Sequence, residues 1–187
     1  MNRIEMLARE FESFVALPWE RSLAPAQRIW FAVYDKEDER RLRARLGEFE
    51  LATRRAGHGW QLIDLTHAFE RWMATSNSRE EYFEEPEFFT SMAFNNFRSH
   101  VEKLVRDTLR ESSEGANALV AIVGAACLFG FVRVSELVNA IENDIRGRLL
   151  VFFPGEHEDN VYRLLDARDG WNYHAIPIKA HGGDLAR

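Results

Sequence analysis

Apolar positions along the chain alternate between short continuous runs and stripes of helical spacing. The continuous runs are rich in β-branched and aromatic residues and are bounded by polar segments, which predicts buried strands. They lie at 28–35, 60–65, 118–124, 149–153 and 172–178. Between them, apolar residues recur every three or four positions, which predicts amphipathic helices. The first of these helices covers residues 4–15 and is ended by Pro18.

The later helices are predicted from the same spacing and from their terminal residues. Asp35 is placed to cap the helix after the first strand, and Gly57 to end it. The polar segment 76–87 is expected to be a loop or a ragged helix end, with Pro86 opening a long helix. The inward faces of the last two helices are predicted to be Phe94, Phe97, Val101, Leu104 and Thr108, and then Val134, Leu137, Val138 and Ile141, with Gly147 ending the second.

Strands that alternate with helices predict an α/β fold. We expect three layers, with a mostly parallel sheet of about five strands covered by helices on both faces. Asp169-Gly170 is a hairpin signal and predicts that 161–166 pairs with 172–178, although the segment from 162 to 166 does not alternate cleanly. We expect a single domain with an N-terminal helix and connector (1–24), a core (25–178) and a frayed tail (179–187).

Composition narrows the classes of function. A chain of 187 residues with a net charge of −6 is poorly suited to non-specific binding of nucleic acid, so no direct nucleic-acid partner is expected. Cys127 is the sole cysteine, which excludes an intrachain disulfide and a cysteine zinc site and favours a reducing compartment. The charged N-terminus is unlike a signal peptide, and no apolar stretch is long enough to span a membrane. We therefore expect a cytoplasmic protein.

Several catalytic and nucleotide-binding motifs are missing. The chain has no GxxxxGK[ST], GxGxxG or GxSxG sequence. Gly124 and Gly130 flank the loop after the third strand, and they either relieve a tight turn or form an irregular phosphate loop. Cys127 lies in the apolar sequence AACLF, where a thiol is expected to be buried and inert. We therefore assign no catalytic residue, cofactor or metal ligand.

Residues that follow the strands are the best candidates for a functional surface. In a parallel sheet, partners and ligands meet the carboxyl ends of the strands. The candidate interaction rim consists of Asp35, Asp64, Gly124, Arg133, Pro154, Gly155 and Glu156. Two explanations remain open: the aspartates are helix caps and Arg133 pairs with a carboxylate, or the rim binds a partner. Likewise, the sequence PGEHED is either an acidic turn, a partner contact or, less simply, a metal or acid–base site.

Three stretches together resemble the BrxB family of bacterial BREX phage-defence systems. They carry Tyr34-Asp35, then Gly124 with Arg133 and Ser135, then Phe152 to Glu156 and Asn172-Tyr173. Where the family is expected to have an aromatic residue after Pro-Gly-Glu, this chain has His157, which weakens a metal-binding interpretation of the turn.

The resemblance implies a non-enzymatic assembly or adaptor subunit that binds other defence proteins. A PglZ-like phosphatase-fold protein is the first expected partner, and an ATPase or a methyltransferase are further ones. Two alternatives stay open. The chain could be a nucleotide- or anion-binding domain with an atypical phosphate loop at 124–130, or a metal-dependent enzyme that uses Asp35, Asp64 and Glu156.

Overall fold

The computed structural model describes residues 2–167 and 170–180. Within them the strands are β1 Ile29–Tyr34, β2 Gly59–Asp64, β3 Ala118–Val123, β4 Arg148–Glu158, β5 Val161–Leu164, β6 Trp171–Asn172 and β7 Ile176–Lys179. The helices are α1 Arg3–Val15, α2 Glu39–Ala44, α3 Leu46–Arg55, α4 Ala68–Thr75, α5 Arg79–Glu84, α6 Ser91–Glu111 and α7 Val134–Ile141. Short 3-10 turns occupy Pro25–Arg28, Lys36–Asp38, Pro86–Phe88, Gly115–Asn117, Ala125–Leu128 and Glu142–Asp144.

The strands form one mixed sheet. Five of them pair in parallel in the order β2-β3-β4-β1-β7, and β5 and β6 add an antiparallel extension to β4. The α/β class is confirmed, but the expected mostly parallel sheet of about five strands is wrong, because the sheet is mixed and has seven strands. None of the described helices is both long enough and apolar enough to cross a membrane.

Two hydrophobic cores lie on opposite faces of the sheet. Successive side chains of a strand point to opposite faces, so β1 supplies Phe31 to one core and Trp30 to the other. The core that contains Phe31 is closed mainly by α6 and α7, and the core that contains Trp30 by α1, α2 and α3. Helices therefore cover both faces, as the alternation of strands and helices predicted.

The fourth strand continues beyond the point where the sequence predicted it to end. Up to Pro154 it pairs in parallel with β1, and from Gly155 to Glu158 it pairs with β5 in the antiparallel sense. The chain turns only at Asp159 and Asn160, which both have positive φ, as a two-residue hairpin turn requires. A Cβ on Gly155 would lie 2.0 Å from the Arg163 carbonyl oxygen, so the close approach of β5 depends on this glycine.

The C-terminal pairing differs from the predicted hairpin. Val161 and Tyr162 pair with Asn172 and Trp171, but the predicted strand 172–178 is divided into β6 and β7, and β7 lies parallel to β1 at the other edge. Asp169, half of the predicted turn, lies outside the described residues. Lys179 belongs to β7 rather than to the predicted tail, whose residues 181–187 are also outside the described part.

Three helix predictions need correction. The helix after β1 is divided at Arg45 into α2 and α3. Pro86 opens a 3-10 turn, and α6 begins at Ser91 with the buried face Ala93, Phe97, Val101, Val105 and Leu109, one position away from much of the predicted stripe. The last helix, α7, buries the four predicted residues but ends at Ile141, before Gly147.

Gly155→Ala is expected to destabilise the fold by about 1–3 kcal/mol, because the added methyl group overlaps the Arg163 carbonyl. Gly47→Ala provides the matched control. Gly47 lies in α3 with nothing within 4 Å of the added Cβ, so that variant should gain up to about 1 kcal/mol in helix propensity. Urea denaturation measures both changes, and equal stability of the two variants would contradict the close approach of β5.

Candidate functional site

The candidate interaction rim is distributed over three separate places. Asp64 and Gly124 lie together beyond β2 and β3, Asp35 and Glu156 line a pocket beside β1, and Arg133 lines a different groove.

Pro154 is buried in the sheet opposite Tyr34, and Gly155 is packed against Arg163. Pro154 is therefore part of the interior of the sheet, whereas Gly155 is partly exposed and lines the same pocket as Asp35 and Glu156.

Asp64 belongs to a polar network centred on Arg43. Arg43 donates to Asp64 at 3.2 Å, to the Thr66 hydroxyl at 2.7 Å and to Glu39 at 2.7 Å. Asp64 also accepts from the Thr66 amide at 2.9 Å and from its hydroxyl. Partial burial alone would raise the pKa of Asp64, but the hydrogen bonds from Thr66 and the charge of Arg43 outweigh it and lower that pKa. The carboxylate thus has a structural role in fixing the start of the connection to α4.

Gly124 is explained by local geometry. Its φ is +83°, and a Cβ there would lie 2.7 Å from the Thr66 amide nitrogen and 3.2 Å from Asp64 Oδ1. The 3-10 turn Ala125–Leu128 follows directly, and α7 begins only at Val134. A phosphate loop places its glycines at the first turn of a helix so that backbone amides surround the ligand, which differs from this arrangement. The pair Gly124 and Gly130 therefore favours the tight-turn explanation.

Asp35 and Glu156 line a pocket of about 280 Å³ together with Arg3 and Lys179. Asp35 caps the following 3-10 turn by accepting from the Glu37 amide at 2.9 Å, as predicted, and it pairs with Arg3 at 3.2 Å. Glu156 is an exposed residue of β4. His157 packs on the Tyr162 ring at 4.3 Å, and burial, with the charge of Lys179, lowers the pKa of its imidazole. This favours the neutral form of His157.

The three carboxylates of the metal-enzyme alternative are separated by the topology. Asp35 follows β1 and Asp64 ends β2, and these two strands lie three positions apart in the sheet, a distance of about 14 Å at the usual strand spacing. Across residues 2–167 and 170–180, no group of three His, Cys, Asp or Glu side chains is arranged to hold a metal ion. Asp35, Asp64 and Glu156 therefore do not make a shared ion site.

Arg133 directly precedes α7 and lines a groove of about 520 Å³. The other walls of this groove include Phe129, Phe131, Ser135 and Trp171. Arg133 has no ion pair among the described residues, whereas the neighbouring Glu136 pairs with Arg98 at 3.3 Å. Of the seven rim residues, Arg133 is thus the one that adjoins an exposed aromatic region.

That region is a feature that the sequence patterns did not identify. We define the aromatic surface as Phe83, Phe88, Met92, Phe129 and Phe131, whose exposed fractions run from 37% to 72%. Phe131 stacks on Phe69 at 4.6 Å and lies 6.0 Å from Phe94, so this exposed ring rests on partly buried aromatic side chains. The available signal was the presence of Phe83 and Phe88 in a segment rich in glutamate that lacks an amphipathic period.

Cys127 corrects another expectation, because the residue is exposed rather than buried. It lies in the 3-10 turn Ala125–Leu128. Desolvation of the sulfur nevertheless raises the pKa of the Cys127 thiol. A raised thiol pKa disfavours the thiolate that a nucleophilic cysteine needs at neutral pH.

Arg43→Gln is expected to raise the pKa of Asp64 and to cost about 1–2 kcal/mol of stability at pH 7. Because the folded-state pKa of Asp64 lies below its ordinary value of 3.8, its stabilisation is complete above that pH and is lost as the pH falls through the folded value. The difference in the free energy of unfolding between Arg43→Gln and wild type should therefore shrink below about pH 4. Urea denaturation at pH 7 and at pH 3 measures this difference.

Arg40→Gln is the matched control for that experiment. Arg40 lies on the same helix, is exposed and has no ion pair within the described ranges. It should unfold like wild type at both pH values. An Arg43→Gln protein that is equally stable would show that the network does not hold the β2–α4 connection.

Comparison with known proteins gave no match of any kind: no protein-family model, no curated protein and no solved structure is significantly similar to this chain. The resemblance to the BrxB family therefore rests on the motifs in the sequence alone, and the function has to be argued from the surfaces of the protein.

Proposed function

We propose that this protein is a non-enzymatic adaptor that binds another protein through the aromatic surface. The observation that carries this proposal is the exposure of five large apolar side chains, Phe83, Phe88, Met92, Phe129 and Phe131. Phe131 and Phe89, which follows Phe88 in the chain, both contact Phe69 and Phe94, so the segments that carry Phe88 and Phe131 lie side by side. Aromatic residues and methionine are enriched at protein interfaces, and a group of large exposed apolar side chains commonly marks one. Phe129 and Phe131 line the same groove as Arg133, so one residue of the candidate interaction rim adjoins the aromatic surface.

The energetic reason is the apolar area that a partner would remove from water. Burying a phenylalanine or methionine side chain contributes about 1.5–3 kcal/mol. Among the exposed rings, Phe131 is held by contacts with Phe69 and Phe94, whose ring centroids lie 4.6 and 6.0 Å from its own. A side chain that is already ordered loses little conformational entropy on binding, so more of this energy contributes to affinity.

The charges around the aromatic surface indicate what kind of partner fits it. Glu81, Glu84, Glu85 and Glu87 are exposed and have no ion pair in the part of the chain that the structure describes. They surround Phe83 and Phe88 in the sequence. An apolar partner surface with a basic border would pair with these carboxylates, and such complementarity speeds association and excludes acidic competitors.

The resemblance to the BrxB family supplies the setting of the proposal. In that setting the partner is a PglZ-like phosphatase-fold protein, with the ATPase and methyltransferase components as further candidates, and the complex acts against phage in the cytoplasm. The separation of Asp35 from Asp64 and the packing of Gly124 against Thr66 give the metal-dependent and nucleotide-loop alternatives no comparable support.

The double variant Phe83→Ser/Met92→Ser is expected to weaken binding to the PglZ-like protein of the same defence cluster at least about tenfold, because truncating central apolar contacts commonly costs more than 1 kcal/mol. Co-purification and titration calorimetry measure the effect. Arg133→Ala should also weaken the complex, because the Arg133 side chain lines the groove beside Phe129 and Phe131.

Leu17→Ser/Leu51→Ser is the matched control, since these leucines are 55% and 48% exposed but lie on other elements. It should bind like wild type and should also show that the substitutions do not act through general loss of surface hydrophobicity. Equal binding by both double variants would exclude the aromatic surface. Failure of the wild-type protein to bind any of the three defence components would overturn the BREX assignment.

A further inference from the structure

A pocket that contains four arginines lies at the end of the sheet opposite to the candidate rim. Arg28 directly precedes β1 and Arg148 is the first residue of β4, while His58 and Asn117 directly precede β2 and β3. Because these strands are parallel, Arg28, Arg148, His58 and Asn117 all lie at the amino-terminal ends of the strands. Together with Trp19, Glu20, Arg21, Ala116 and Arg146 they line a pocket of about 390 Å³, which we call the arginine pocket.

The charge of the arginine pocket is not balanced within the described chain. Arg21, Arg28, Arg146 and Arg148 form no ion pair there, and Glu20 is the one carboxylate residue among the lining side chains. Arg28 donates to the carbonyl oxygens of Ile145 and Arg21, at 2.9 and 3.1 Å, and these acceptors carry no formal charge. The excess is notable in a chain whose net charge is −6.

Strand register brings two of these cations side by side. Ile29 pairs with Leu149, so Arg28 and Arg148 start adjacent parallel strands next to each other. Like charges in such positions repel. Burial and the charge of Arg28 together lower the pKa of Arg148. An anion between the two guanidinium groups would convert this repulsion into two attractive contacts.

Arg148 is buried and incompletely hydrogen-bonded. Its residue is 4% exposed, and its Nη atoms donate to the carbonyl oxygens of Gly147 and Glu20 at 3.1 and 3.0 Å. Within the described residues its Nε has no hydrogen-bond acceptor, and neither do the buried Nε of Arg28 and Nε1 of Trp19. A buried donor without an acceptor is destabilising, so an anion that supplied acceptor oxygens to these residues would stabilise the folded chain.

The walls of the pocket are already ordered for binding. The rings of Trp19 and His58 stack at 3.6 Å with an angle of 10° between their planes. Asn117 donates through Nδ2 to the Gly57 carbonyl, and its Oδ1 lies 2.6 Å from Nδ1 of His58, which therefore carries the proton. The guanidinium carbon of Arg148 lies 5.0 Å from the Trp19 ring centroid, a cation–π distance.

We propose that the arginine pocket binds a small phosphorylated anion. A phosphate group offers several acceptor oxygens and two negative charges, which match forked guanidinium donors better than a single carboxylate does. Four arginines against one glutamate favour a ligand with more than one negative charge, and the volume of about 390 Å³ leaves room for a second phosphate or a small organic group. The arginine pocket lies at the opposite end of the strands from Gly124, so it is independent of the phosphate-loop alternative and of the proposed adaptor surface.

Titration calorimetry of the full chain with pyrophosphate at low salt tests the proposal. We expect one binding event per chain, a higher Tm with pyrophosphate, and affinity that falls as salt is added. Arg146→Gln should raise the dissociation constant for pyrophosphate about tenfold or more, because a hydrogen bond to a charged group is lost. Arg146 is exposed, so this variant should fold normally.

Two further variants separate binding from folding. Arg148→Met removes the buried charge and should abolish binding; stability near or above that of wild type is expected, since an apolar side chain needs no counter-ion. Arg40→Gln, far from the pocket on α2, should bind pyrophosphate like wild type. Unchanged binding in Arg146→Gln and Arg148→Met, or no binding by folded wild type, would overturn the proposal.

Parallel titrations identify the chemical class of the ligand. ADP should bind at least as well as pyrophosphate, and citrate clearly more weakly. Equal affinity for citrate would refute the preference for phosphate. A single-stranded oligonucleotide that bound more tightly than ADP and competed with it would show that the pocket serves a nucleic acid instead of a small ligand.

Discussion

The structure depends on the parallel pairing of β1 with β4. Six residues of each strand are in register, from Ile29 with Leu149 to Tyr34 with Pro154. Alternate side chains of β4 enter different cores, so Phe153 packs in the layer of α6 and α7 while Phe152 packs in the layer of α1 to α3. A slip of one residue would exchange these side chains between the cores, and the two layers of helices together fix the register.

The same strand also determines how the surfaces are arranged. At its first residue, β4 contributes Arg148 to the arginine pocket; beyond Pro154 it leaves β1 and pairs with β5. The extension places Tyr162 against Phe31 at 4.7 Å, and the Tyr162 hydroxyl donates to the Ala175 carbonyl at 2.9 Å. Because the extension occupies part of the carboxyl edge, it lies between the pocket of Asp35 and Glu156 and the groove of Arg133.

The sequence predicted the elements whose burial leaves a clear period or an uninterrupted apolar run. The first three strands, the cap at Asp35 and the inward face of α7 are confirmed. The predicted buried face of α6 was wrong at several positions, because Phe97 and Val101 fit both the pattern with Leu104 and Thr108 and the pattern with Val105 and Leu109. Only packing against the rest of the protein selects the second pattern.

Other features depend on contacts between distant parts of the chain, which local patterns do not contain. Pro154-Gly155 reads as a strand end, but here the glycine admits the Arg163 carbonyl and the strand continues. Arg28 and Arg148 are 120 positions apart in the numbering and become neighbours only through the β1–β4 register. The aromatic surface was missed for a related reason, since exposed and buried phenylalanines look alike in a sequence.

The exposed position of Cys127 has a practical consequence. It is the single thiol of the chain, in the turn directly after β3 and two residues from Phe129. A maleimide dye would therefore attach at one defined place without any engineered cysteine. The arginine pocket begins at the other end of β3, about 20 Å away for a six-residue strand, so such a dye would stand next to one surface and leave the other unobstructed.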